Sequence, residues 1–63
     1  MLVYFKDFVN DSNVAINKEY VVAVFTMSEG EYAGRTGITL INGNLIVEES
    51  MDYVVNKLEF GGL

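Results

Sequence analysis

Sixty-three residues carrying four Lys and Arg against nine Asp and Glu give a net charge of −5. A chain of this length forms one domain at most, residues 1–63, and buries only about 60% of the surface its unfolded form exposes. The absence of Cys, His and Pro excludes disulfides, thiolate or imidazole metal centres, and catalysis by a thiol or an imidazole.

Hydrophobic residues make up 51% of the chain, with a mean hydropathy of +0.26. So small a fold has little interior in which to hide them. Surplus apolar surface marks a contact surface, and symmetric homo-oligomers are the commonest way to cover it. The composition therefore predicts a homo-oligomer, with an efficiently packed monomer as the alternative. No run approaches the roughly 18 apolar residues of a membrane span. Met1 to Asp7 lacks the basic and apolar order of a secretory signal, which predicts a cytoplasmic protein.

Leu2 to Val9 is rich in β-branched and aromatic residues and reads as a strand. Leu2, Tyr4 and Phe8 fall on one side, Val3, Phe5 and Val9 on the other, so both faces are apolar. Asn10 to Asn13 is a cluster of turn formers. Val14 to Ile16 follows as a short strand, and Asn17 to Tyr20 as a single 3₁₀ turn. Val21 to Met27 is an almost unbroken β-branched run, which predicts a strand buried on both faces. Ser28 to Gly34 is a polar loop with two glycines. Thr36 to Ile41 and Leu45 to Val47 flank Asn42-Gly43-Asn44, a strong hairpin signal because Asn and Gly accept positive φ.

The period then changes. Met51, Val54, Val55 and Leu58 lie on one face of a helix. Ser50 is placed to cap it, Asp52 lies in the first turn and Lys57 near the other end. Gly61-Gly62 supplies the stop. The expected fold is mainly β with one C-terminal helix, in the order β-β-β-β-β-α, as a small antiparallel curled sheet or open barrel.

The chemical inventory argues against an enzyme. Glu48 and Glu49 are adjacent, so an extended backbone aims them at opposite faces, and they read as a solvated approach to the helix. Gly30 to Thr36 faintly echoes a phosphate-binding loop, but the glycine spacing is one residue short. Arg35 also stands where Lys belongs, and a strand follows instead of a helix. No stretch has the spaced acids of a calcium loop, so neither a metal nor a cofactor is expected. Lys6, Lys18, Arg35 and Lys57 are scattered, which disfavours nucleic-acid binding unless an oligomeric ring gathers one Arg35 per subunit.

Tyr32 and Arg35 are of the types enriched at binding hot spots, and they sit in a loop. They are the candidate contacts for an adaptor or inhibitor acting on a larger protein. The plain alternative is a loop tip whose Tyr packs back on the sheet. Phe5 and Phe25 are the candidate contacts for self-association through the first strand and the run Val21 to Met27.

Three stretches carry a resemblance. They are Ile16-Asn17-Lys18-Glu19-Tyr20-Val21-Val22-Ala23-Val24, then Ile38-Thr39-Leu40-Ile41-Asn42-Gly43, then Ile46-Val47-Glu48-Glu49-Ser50 with Val54-Val55-Asn56-Lys57-Leu58. Over residues 14 to 58 this pattern resembles the small flagellar FlbD-like family, and also short phage and bacterial proteins. The resemblance implies a compact β domain with a terminal helix and a bacterial or phage origin, and it brings no catalytic residue. The loop Ser28 to Arg35 is longer than in that pattern, and the first strand is more apolar.

Overall fold

A computed structural model describes residues 1–60. The elements are β1 (Leu2–Asp7), β2 (Ser12–Asn17), a 3₁₀ turn (Lys18–Tyr20), β3 (Val21–Thr26), β4 (Thr36–Leu40), β5 (Gly43–Val47) and α1 (Met51–Phe60). All five strands join one open antiparallel sheet in the order β2-β1-β5-β4-β3. The expected fold class holds. The expected Gly61-Gly62 stop lies outside the described residues.

One face of the sheet carries the core. Val3 and Phe5 from β1, Ile38 from β4, Val47 from β5 and Val54 from α1 are buried, with Val14, Ile16, Val24, Leu40, Leu45 and Leu58 packed around them. Each fully buried side chain of this size contributes roughly 1.5–3 kcal/mol, so five of them make a thin interior. Helix α1 closes this face. Ser50 Oγ accepts the Tyr53 backbone N–H at 3.2 Å, satisfying one of the orphan donors of the first turn. The expected cap is therefore formed.

Strand β1 ends two residues sooner than its apolar run suggests. Asp7, only 7% exposed, turns the chain. Its carboxylate accepts the Val9 backbone N–H at 2.9 Å, the Asn10 backbone N–H at 3.3 Å and the Asn10 side-chain amide at 2.9 Å. The turn is thus Phe8 to Asp11, and Ser12 and Asn13 already belong to β2. Asp11 takes φ 52°, the left-handed region that Asp tolerates better than most residues.

The β4–β5 hairpin forms, with its turn one residue earlier than the Asn-Gly signal predicts. Leu40 pairs with Gly43, leaving Ile41 and Asn42 as the two-residue loop. Core registration decides this. Ile38 opposite Leu45 and Thr36 opposite Val47 put the buried side chains on one face, and slipping by one residue would turn them all outward.

The reading of Val21 to Met27 as buried on both faces is overturned. β3 is an edge strand with no residue fully buried. An unbroken apolar run marks a strand but not its place in the sheet, and that place depends on distant pairing. Strand β1 is likewise one-sided. Val3, Phe5 and Asp7 are buried, while Leu2 and Tyr4 are exposed on the face away from α1.

Candidate interaction surface

The four candidate contacts fall in three places. Phe5 is 2% exposed and sits in the core. Its side chain offers nothing to a partner, which corrects its expected role in self-association. The strand's apolar pattern could not say which aromatic turns inward.

Tyr32 and Arg35 come together with a residue the sequence reading placed elsewhere, Phe8. Arg35 Cζ lies 4.1 Å from the Phe8 ring centroid. Tyr32 meets the same ring edge-on, with centroids 6.0 Å apart and planes at 87°. The contact is a cation–π stack beside a T-shaped aromatic pair. Backbone bonds close the loop beneath it. Met27 N–H donates to the Arg35 carbonyl at 2.8 Å, and Gly34 N–H to the Met27 carbonyl at 2.8 Å. Gly34, at φ 87°, occupies a conformation that costs other residues strain. The loop tip is folded back on the end of the sheet.

Phe25 lies on the face away from α1, across from Gly37 on β4. A Cβ at residue 37 would meet Phe25 Cζ at 2.6 Å, so the glycine makes room for the ring. Phe25 remains 38% exposed and Val22, beside a register shift in β3, 65% exposed. Leu2 and Tyr4 on β1 and Ile41 in the β4–β5 turn are also exposed. From Val21 to Met27 no residue is charged.

Glu49 acquires a role that its solvated reading missed. The chain leaves the β1–β5 ladder after Glu48, whose N–H donates to the Lys6 carbonyl at 3.0 Å. The Lys6 N–H then donates to both Glu49 carboxylate oxygens, at 3.2 and 3.1 Å. A side chain stands where a strand backbone would continue. Only knowing that β1 and β5 are neighbours would have revealed this.

On the helix, a shallow hollow is lined by Tyr53, Asn56, Lys57 and Phe60. Lys57 Nζ lies 5.7 Å from the Phe5 ring centroid and 5.4 Å from that of Tyr53, and bonds the Tyr53 hydroxyl at 3.4 Å. Among the described residues no three acidic side chains gather to hold a metal ion. None of the described helices is long and apolar enough to cross a membrane.

No family model, curated protein or solved structure matches the chain.

Proposed function

We propose that the chain is a non-catalytic interaction module that self-associates, working in the cytoplasm of a bacterium or in a phage-infected cell. The observation that carries this reading is the uncharged, apolar strand β3 at an outer edge of the sheet, with no strand beyond it among the described residues. Unpaired backbone groups along an edge recruit another strand, and proteins ordinarily guard such edges with charge, Pro, a bulge or a cover. Here the run Val21 to Met27 has neither Pro nor a charge, and its one irregularity, the register shift between Val21 and Ala23, leaves Ala23 to Met27 open to pairing. Edge pairing through the first strand drops out, because β1 lies inside the sheet between β2 and β5.

Light scattering on the purified chain tests the reading. A mass above the 7.0 kDa of one copy, falling to one copy in a folded Phe25→Asp variant, is the expected result. A wild type that stays at one copy at high concentration removes self-association.

A second reading rests on Arg35. Among the described residues its guanidinium has no acidic partner within ion-pair distance, and it lies over the Phe8 ring while the residue stays exposed. That arrangement suits an adaptor that meets a carboxylate on a larger protein. A partner whose capture survives Tyr32→Ala combined with Arg35→Ala would remove this reading.

A further inference from the structure

We infer that two copies join β3 to β3, antiparallel, about a twofold axis at Phe25, making one ten-stranded sheet. The inference rests on the self-association proposed above and specifies its geometry.

The choice of edge follows from the side chains each outer strand carries. The sheet has two outer strands, β2 and β3. β2 carries Ser12, Asn13 and Asn17 and is flanked by Asp11 on one side and by Lys18 and Glu19 on the other, so pairing it with itself must strip water from polar and charged side chains. β3 is uncharged along its length, with Thr26 its one polar side chain, so joining it to its own copy buries apolar surface at the least desolvation cost. A charged peptide would find nothing on this edge to read. Pairing β3 with the β2 of another copy would leave a free edge at each end and grow into a fibre, whereas β3 with β3 closes.

The register follows from the backbone. Met27 N–H points at β4, where it meets the Arg35 carbonyl. Backbone groups alternate along a strand, so those of Val24 and Thr26 point to the open side. The register shift between Val21 and Ala23 breaks this alternation at Val22 and leaves Ala23 to Met27 as the regular stretch. Its centre is Phe25. Setting Val24 against the partner's Thr26, and the reverse, satisfies the outward groups of these two residues in both copies. Phe25 then faces the partner's Phe25 in a non-hydrogen-bonded pair, the closer of the two pair types, at about 4.5 Å between Cα atoms. Both rings lie on the face away from α1, where Gly37 has made room for them, and cross-strand aromatic pairs are favourable. On the other face Met51 Sδ lies 3.5 Å from Thr26 Oγ1 and is a pliable side chain to seat against the added strand.

The lack of cysteine in the chain makes the test clean. Single variants Phe25→Cys, Val24→Cys and Thr26→Cys are oxidised mildly, with Ala15→Cys on β2 as the control. Only a residue on the axis meets itself, so Phe25→Cys should yield several-fold more covalent dimer than the other three. Because this variant loses the ring, a double variant Ala23→Cys with Met27→Cys keeps Phe25 and should also cross-link between copies. The two thiols are too far apart along one strand to bridge within a copy. Preferential linking at Val24 moves the axis and overturns the register. A wild-type dimer that links through Ala15→Cys, or at no β3 position, overturns the β3 interface while leaving self-association standing. A wild type that is a single copy by light scattering overturns both.

Discussion

The β1–β2 hairpin and the β3–β4–β5 meander are made of the same kinds of strand-forming residue, yet they hold their neighbours differently. Within the hairpin the ladder runs from Leu2 opposite Asn17 to Asp7 opposite Ser12. Within the meander β4 is paired along its length on both sides. Between the two units the ladder shrinks to Asp7 opposite Val47. The bonds at that seam are Phe8 N–H to the Ile46 carbonyl at 2.8 Å, Glu48 N–H to the Lys6 carbonyl, and Lys6 N–H to Glu49. The units are joined chiefly by side chains, through Val3 and Phe5 against Ile38, Val47 and Val54. Continuous sheet order does not mean uniform strength across it.

The largest effect should come from breaking that side-chain bridge. Phe5→Ala removes the hairpin's main contribution to the shared core at a cost of about 3–5 kcal/mol, comparable to all that a core of this size supplies. Urea unfolding monitored by circular dichroism should find it largely unfolded without denaturant. A two-state midpoint close to that of wild type would mean that the hairpin carries little of the fold.

Next comes the seam itself. Glu49→Ala leaves the Lys6 N–H without its charged acceptor and should cost about 1–2 kcal/mol. Hydrogen exchange should quicken at Lys6 more than at Ile38 or Thr39, since local opening of the seam precedes global unfolding. Equal acceleration at all three would show that the sheet opens as one piece.

Within the meander, Gly37→Ala drives a methyl into Phe25 and should cost about 1–3 kcal/mol. Because the ring is partly exposed, it can swing aside, so Phe25→Leu in the same chain should recover much of the loss. Absence of recovery would mean that the backbone of β4, not the ring, sets the limit.

The smallest effect is confined to the hairpin turn and depends on pH. The Asn10 side-chain amide, aided by the backbone N–H groups of Asn10 and Val9, holds the Asp7 carboxyl below its ordinary value of 3.8 against the opposing pull of burial. A lowered folded-state value means that the stabilisation is complete above the unfolded value and disappears as pH falls through the folded one. Asp7→Asn should therefore be less stable than wild type at neutral pH, with the gap closing below about pH 4. A gap constant from pH 7 to pH 2.5 would show that the turn does not depend on the charge.

What the chain announces and what it conceals divide along physical lines. Turn chemistry and helical period are local, so the 3₁₀ turn, the β4–β5 hairpin, the Ser50 cap and α1 were all legible. Strand order is not local. The run Val21 to Thr26 looks like a central strand because its side chains are apolar, and its edge position depends on β5 pairing with β1 across 40 residues of chain. The candidate surface was legible in part. Tyr32 and Arg35 stood out by type and Phe25 by its place in an apolar run. Phe8 was hidden in a presumed strand, and Phe5 was indistinguishable from its exposed neighbour Tyr4. Glu49 gave no signal, because its partner is a backbone N–H 43 residues away.

The Glu49 carboxylate also fixes how long the connection after β5 can be. Successive residues of an extended chain aim their side chains in opposite directions, and Ser50 follows at once with its cap. One inserted residue between Val47 and Glu49 would swing the carboxylate away from Lys6, and one deleted would draw the start of α1 into the sheet. Most surface connections tolerate such changes in length. This one is tuned to a parity, as a hinge pin is to its barrel.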